Sequence, residues 1–151
     1  ARAVPQVGAT NGYRSEVDDV VIAYISDHQQ PADGTDRIAD GALELCDGAD
    51  LVIHDAQFTA ADLARKSDWG HCTFDYALHV AATAGARRLA LFHHDPDRSD
   101  DEIDAVVDRL GDRAAARGVD EVVAAAERTT IALSRSAAPV VAATEAVAGR
   151  R

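Results

Sequence analysis

The sequence predicts an α/β fold with one mixed sheet flanked by helices. Short β-branched and apolar runs of strand length alternate with longer segments whose apolar residues recur at helical spacing. Three of the short runs end in polar residues, as buried parallel strands do. A chain of 151 residues that is 47% hydrophobic can bury one ordinary core. We therefore expect one α/β domain over residues 1–133 and a weakly structured Ala-rich tail over residues 134–151.

Six segments are predicted as strands. Asp18 and Asp19 form an acidic turn that joins the first two of them into a hairpin. The next two strands each follow a predicted helix, which is the pattern of parallel strands joined by helical crossovers. The predicted strands comprise residues 12–17, 20–25, 51–53, 88–92, 121–124 and 129–133.

Four helices are predicted between the strands. Gly48 and Gly85 follow the first and third of them, and glycine is the residue that most often ends a helix. Cys72 or Thr73 caps the third helix. Ser99 opens the fourth as part of a capping box with an acidic residue three positions later. The predicted helices comprise residues 36–46, 60–65, 73–84 and 99–117.

The charge balance is acidic, because 15 Lys and Arg face 26 Asp and Glu for a formal net charge of −11. Such a charge opposes attraction to nucleic-acid phosphates and to anionic membranes. No apolar run approaches the roughly 18 residues that a membrane helix needs. Cys46 and Cys72 are too few for a disulfide framework. We expect a cytoplasmic protein with a small-molecule substrate and without nucleic-acid or membrane partners.

Acidic and histidine side chains follow three of the predicted strands. The carboxyl ends of parallel strands meet at one edge of a sheet, so these side chains should gather there. Histidine and carboxylate ligands suit zinc, manganese and iron. One such strand end is more often a solvated tip or a helix cap, but three together favour a metal site. The side chains are Asp27, His28, His54, Asp55, His93, His94 and Asp95.

Four runs occur in an order and at a spacing that resemble the later motifs of ribonuclease Z-like and phosphodiesterase-like metallo-beta-lactamase-fold proteins. They are YISD (24–27), ADLVIHDAQF (49–58), WGHCT (69–73) and LALFHHDP (89–96). The resemblance spans residues 12 to about 105. It implies half of an αββα sandwich. It also implies a metal-dependent hydrolase that cleaves a phosphodiester or a small ester through metal-bound hydroxide.

The resemblance also implies the metal ligands. Asp27 takes the position of the carboxylate that bridges two ions, and His93 that of the last ligand histidine. His28 and His94 are candidates for additional ligands because each is a neighbour of one of these residues. The expected cofactor is a divalent metal, with zinc first, two ions in a complete site, and manganese or iron as alternatives.

The catalytic positions of the resemblance fall on Asp55 and His71. Asp55 stands where the family usually has a glutamate, and it would hold His71. His71 would contact the scissile phosphate or protonate the leaving oxygen, a task suited to imidazole because its pKa lies near neutrality.

Two departures from the family concern the earlier part of the fold. The family's first metal motif, His-x-His-x-Asp-His, has no counterpart in this sequence, and Gln6 takes the position of a further ligand histidine. The chain thus resembles only the later half of the fold, which would leave one apolar sheet face uncovered. We expect a homodimer, or pairing with a polypeptide that carries the first half.

Two other classes of function stay open. A noncatalytic receiver-like domain would use Asp27 or Asp55 to bind magnesium and accept a phosphoryl group. A metal-free remnant or interaction domain would fit Gln6 and the missing first motif. The receiver-like alternative does not explain why His71, His93 and His94 occur at the same places.

Overall fold

The computed structural model of the protein describes residues 1–133, so the expectation for residues 134–151 lies outside the described part. The strands and helices alternate after an initial antiparallel group. In chain order they are β1 (Arg2–Val4), β2 (Thr10–Val17), β3 (Val20–Ile25), α1 (Asp40–Cys46), β4 (Leu51–Asp55), α2 (Ala60–Lys66), α3 (Phe74–Thr83), β5 (Arg88–Phe92), α4 (Asp100–Ala115) and β6 (Glu121–Ala124).

The six strands form one mixed sheet in the order in which they occur along the chain, from β1 to β6. The pairs β1–β2 and β2–β3 are antiparallel, whereas β3, β4, β5 and β6 run parallel. The predicted α/β class with a mixed sheet is confirmed. This order lacks the reversal of a receiver-like sheet, in which the second strand lies outside the first. The receiver-like alternative is therefore wrong for this fold.

The predicted hairpin is confirmed and closes through a two-residue turn. Val17 pairs with Val20, and Asp18 and Asp19 between them have positive φ values of 50° and 63°. Positive φ at both central residues is typical of the turn whose twist matches that of two antiparallel strands. The strand β1 was not predicted, because a segment of three residues carries too little pattern.

The helices α1, α3 and α4 pack against the sheet. Right-handed crossovers between successive parallel strands place their helices on the same side, and α3 contacts both α1 and α4. The side chains that point toward this layer alternate along the strands and are fully buried. They include Ala23, Ile25, Val52, Leu89 and Leu91.

The opposite face of the sheet carries half-buried apolar side chains, among them Ile22, Tyr24, Ile53 and Phe92. They line a cavity of about 590 Å³ together with residues 129–133. Those five residues were predicted as a strand, but they form none and instead lie along the cavity. One packed face and one open face are what half of an αββα sandwich requires.

The first helix starts later than predicted, at Asp40 instead of residue 36. The carbonyl groups of Asp36 and Arg37 accept hydrogen bonds from His79 Nε2 (2.9 Å) and from the Tyr76 hydroxyl (3.1 Å) of α3. These side-chain contacts hold the segment in an extended path, which local periodicity does not reveal.

The capping signals of the other helices behave as predicted. The hydroxyl of Thr73, one of the two predicted caps, accepts the backbone N–H of Tyr76 and caps α3. Ser99 and Glu102 form the predicted capping box of α4. Each satisfies backbone N–H groups that would otherwise lack a partner at the helix start. The start of α3 is therefore fixed immediately after His71 and Cys72.

Candidate metal centre

Asp27, His71 and His93 converge at the carboxyl-terminal edge of the sheet. Each offers one ligand atom, and these atoms all lie within 4.8 Å of one another. Within residues 1–133 no other three histidine, cysteine or acidic side chains meet that condition. The rings of His71 and His93 are in edge contact, with centroids 4.7 Å apart. The structure thus brings both expected metal ligands and the expected catalytic histidine to one place.

Backbone conformation explains how Asp27 and His93 meet. They follow β3 and β5, which lie on either side of β4, so their strands are roughly 10 Å apart. Both residues have positive φ, 50° for Asp27 and 59° for His93. Such values are uncommon for residues other than glycine and cluster at functional sites. The sharp turn at each strand end lets the two side chains approach across the end of β4.

The spacing of the donor atoms fits a small divalent ion. Asp27 Oδ1 lies 3.7 Å from His93 Nδ1, and two ligands of a tetrahedral zinc ion with bonds of about 2.1 Å are roughly 3.4 Å apart. His93 Nδ1 is buried and has no hydrogen-bond partner among the described residues. A buried nitrogen normally has a partner. A carboxylate and an imidazole, here Asp27 and His93, suit zinc and also iron and manganese.

Asp55 lies beneath the cluster and is fully buried. Its Oδ2 accepts hydrogen bonds from His71 Nδ1 (2.7 Å) and from the backbone N–H of His28 (2.8 Å). Burial raises the pKa of Asp55, and the hydrogen bond from His71 opposes that rise. The carboxylate of Asp55 accepts the hydrogen bond that His71 donates from Nδ1. The other ring nitrogen of His71, Nε2, is therefore free to face the other residues of the cluster. The expected contact between these two residues is thus present.

His28 does not join the cluster, although it was expected as an additional ligand. Its side chain is fully buried and its Nδ1 lies 2.9 Å from Nε2 of His54. Burial lowers the pKa of His28 to about 3, and the neighbouring His54 adds to the effect. The physical reason is its contacts: the backbone N–H of His28 donates to Asp55 and its ring bonds His54, so the side chain turns inward after the sharp turn at Asp27.

His94 does not join the cluster either. It lines a different cavity, with Asp100 and Asp104 at the start of α4 and the segment that follows β6. Burial lowers the pKa of its imidazole. Although His94 follows His93 directly in the sequence, its side chain lies at a different surface of the molecule.

Several side chains near the site were not predicted from the sequence. The ring of Phe58 packs edge-on against His71, and Lys66 lies over Phe58 while its ammonium group is 2.6 Å from Asp95. The acid after His94 is thus neutralised by the chain's single lysine and is not a ligand. The spacing of these residues gives no signal, because their contacts depend on how α2 packs.

Gln6 lies beside the site. A methyl group placed on Gly70 would come within 2.7 Å of the Gln6 amide, so this side chain rests directly on the residue before His71. The resemblance places Gln6 at the position of a ligand histidine. In the structure its side chain lies against Gly70, next to His71 of the candidate metal centre. An amide is a weaker ligand than imidazole for zinc.

The fold is that of the metallo-beta-lactamase proteins. Human tRNase Z, short form, matches with a TM-score of 0.63 and 21% identity, over 88% of this chain and 42% of that one. The metallo-beta-lactamase fold protein YhfI from Bacillus subtilis matches with a TM-score of 0.60 and 21% identity, over 82% of this chain and 43% of the other. The expected half sandwich is confirmed.

Within that fold the chain is similar in sequence to ribonuclease Z. The Geobacillus kaustophilus enzyme is 43% identical over 60 residues, 40% of this chain and 20% of the relative. The Salinibacter ruber enzyme is 40% identical over 74 residues, 49% of this chain and 20% of the relative. The chain thus spans about a fifth of the length of these relatives. No family model matches the sequence.

One expectation is wrong, namely that the protein has a small-molecule substrate and no nucleic-acid partner. The relatives that it matches are named ribonuclease Z, after RNA. Net charge misled because it averages over the whole surface, whereas phosphate recognition depends on local charge at the site, including that of a bound ion.

In the part of the chain that the structure describes, no helix is long and apolar enough to cross a membrane.

Proposed function

We propose that the protein contributes the later half of the active site of a metal-dependent hydrolase that cleaves a phosphodiester bond of RNA. The observation that carries this proposal is the convergence of Asp27, His71 and His93 within one ion's reach, with Asp55 behind His71. The similarity to ribonuclease Z supports RNA as the substrate class.

In this proposal Asp27 and His93 hold the divalent metal, with zinc favoured by the ligand set. A bound ion would polarise the phosphoryl group and lower the pKa of a water molecule that attacks it. His93 Nδ1 would then have the partner that it otherwise lacks among the described residues.

Asp55 and His71 provide the proton chemistry. The hydrogen bond from His71 Nδ1 to Asp55 Oδ2 fixes the ring orientation and assigns one proton to Nδ1. Nε2 is then available to bind the scissile phosphate and to deliver a proton to the departing ribose oxygen. The buried Asp55 carboxylate stabilises the imidazolium form from which that proton comes.

Cleavage of a labelled single-stranded RNA, with its DNA counterpart beside it, tests the proposal in a preparation that combines this chain with a polypeptide carrying the first half of the fold. We expect RNA cleavage that depends on zinc or manganese and that a chelator stops. Asp27→Ala and His71→Ala should abolish it, whereas His79→Ala, a histidine of α3 that binds the Asp36 carbonyl, should retain it. Cleavage that persists in both site variants, or without metal, would contradict the proposal.

A further inference from the structure

Two fully buried histidines lie behind the candidate metal centre, and the proposed chemistry does not use them. His28 Nδ1 is 2.9 Å from His54 Nε2, and His54 Nδ1 is 2.6 Å from the carbonyl oxygen of Asp55. Both side chains have no solvent exposure. They connect the end of β3, which carries Asp27, with the end of β4, which carries Asp55.

The acceptor at one end fixes the proton positions along this chain of hydrogen bonds. A carbonyl oxygen only accepts, so His54 Nδ1 must carry the proton and donate it to Asp55. In a neutral ring His54 Nε2 is then an acceptor, and His28 Nδ1 must donate to it. Both rings are buried, and no carboxylate forms a hydrogen bond with either of them. Burial of this kind favours the neutral form of each imidazole. Both histidines are thus assigned the Nδ1–H tautomer.

The same geometry holds Asp55 at both of its polar groups. The carbonyl oxygen accepts from His54 Nδ1 and also from the Cys72 thiol, whose Sγ is 3.0 Å away. The carboxylate accepts from the His28 backbone N–H and from His71 Nδ1. His28 therefore binds Asp55 directly through its backbone and indirectly through the ring of His54.

We infer that the His28–His54 pair positions Asp55, and through it His71, relative to the metal ligand Asp27. The pair acts as a spacer between the ends of two adjacent strands, and neither ring contacts the substrate. This role rests on the proposed function, because it assigns His71 and Asp27 to one reaction. It explains why a histidine follows Asp27 without ligating and why a histidine precedes Asp55 with its side chain fully buried.

Loss of the spacer should disturb His71 without removing it. Replacing His54 leaves the Asp55 carbonyl and His28 Nδ1 without one partner each, and the ends of β3 and β4 then shift to recover them. A displacement of that kind loosens the bond between Asp55 and His71. Residues that orient a metal-site group in this way typically contribute a factor of about 10 to 100 in activity.

Nitrogen-15 NMR of the histidine side chains tests the inference on the metal-free protein. In the unaltered protein we expect the Nδ1–H tautomer for His28, His54 and His71. An Nε2–H assignment for His28 or His54 would reverse the hydrogen-bond chain and overturn the inference. This measurement needs no variant, so it stays decisive even where a substitution prevents folding.

Three variants of His54 then separate positioning from simple packing. His54→Asn keeps a donor near the Asp55 carbonyl, His54→Gln keeps an acceptor toward His28, and His54→Leu keeps neither. We expect His71 to become a mixture of tautomers in the Leu variant and to be restored in part by Asn. His79→Gln is the control, since His79 also binds a backbone carbonyl but lies on the outer surface of α3.

The outcomes distinguish this inference from the proposed function. A folded Leu variant in which His71 keeps a single Nδ1–H tautomer overturns the positioning role, whatever the protein hydrolyses. If RNA cleavage fails while the tautomers follow the prediction, only the proposed function is lost. In an active preparation we expect kcat to fall about 10- to 100-fold with KM unchanged, because the pair does not contact substrate.

Discussion

His71 Nδ1 lies 2.7 Å from Oδ2 of Asp55, even though aspartate is one methylene shorter than the glutamate usual at that position in the resembled family. Asp55 is the last residue of β4, and its carbonyl oxygen accepts hydrogen bonds from His54 and Cys72. Hydrogen bonds thus hold Asp55 at its backbone as well as at its carboxylate. The pairing of acid and histidine depends on the neighbours of Asp55 as much as on its own chemistry.

Asp27 and Asp55 should differ in their effect on metal binding. We expect Asp27→Ala to lower zinc affinity by more than about 100-fold and Asp55→Ala by about 10- to 100-fold, because the first removes a direct ligand and the second only an orienting group. Competition titration with a zinc chelator measures both. Asp95→Ala is the matched control, since that acid binds Lys66 and should leave affinity unchanged. Equal losses for Asp27→Ala and Asp55→Ala would count against the assignment of roles.

Gln6→His should strengthen metal binding. Gln6 packs on Gly70 beside the cluster, and imidazole is a better zinc ligand than an amide. We expect about a tenfold gain or more in zinc affinity, and a matching shift in the ligand-field spectrum of the cobalt-substituted protein. Gln6→Leu should leave the affinity unchanged. An unaltered cobalt spectrum in Gln6→His would show that this side chain does not reach the ion.

Stability should fall as the pH drops below neutrality, in part because of His54. Burial lowers the pKa of His54 from 6.5 to about 4, so between these values the unfolded chain binds a proton that the folded protein does not. The free energy of unfolding therefore rises with pH in this range, by up to about 1.4 kcal/mol per pH unit. Lowering the pH from 7 to 5 should cost roughly 2 kcal/mol of stability. Urea unfolding at both pH values measures the loss.

The variant His54→Gln provides the comparison for this pH dependence. It lacks the titrating ring, so its stability should vary less between pH 7 and pH 5, even if it is lower at both. His28 adds a loss of the same sign, because burial lowers its pKa to about 3. Burial raises the pKa of Asp55 above its usual value, and that shift acts in the opposite direction, because the folded protein then binds a proton that the unfolded chain does not. An identical slope in His54→Gln would mean that His54 is already charged in the folded protein.

Gly70→Ala should destabilise the protein by about 1 to 3 kcal/mol. Gly70 has a φ of 89°, and the added methyl group would meet the Gln6 side chain. Thermal unfolding of the variant measures the loss, with Gly8→Ala as the control, because no atom lies within 4 Å of a methyl group at that position. If both variants change the melting temperature by the same amount, the added methyl group does not strain the protein at Gly70.

The sequence predicted the central sheet because its signals are local. The β-branched runs, the acidic hairpin turn and the capping box of Ser99 each depend on a few adjacent residues, and all but the run 129–133 have their predicted counterpart in the fold. The ordered motifs likewise predict one site that contains Asp27, His71 and His93, and the structure brings these three residues together. Their convergence follows from parallel strands that end at one edge.

The misses depend on contacts between distant segments. The extended path before α1 is held by Tyr76 and His79 from α3, and no pattern near residue 36 encodes those bonds. The direction of His28 depends on the ring of His54, which is far from it in sequence. A histidine next to a candidate ligand in the sequence is therefore a weak candidate for a second ligand, because contacts with distant residues decide its direction.

The sequential order of the six strands has a consequence for how the chain folds. Each strand pairs with the next one along the chain, so the hairpin and each crossover unit close only a short loop. Folding rates rise as the sequence separation of contacting residues falls. The sheet can therefore grow outward from the β2–β3 hairpin by adding one strand at a time, and the ends of β3, β4 and β5 come together only after two successive additions, of β4 and then of β5.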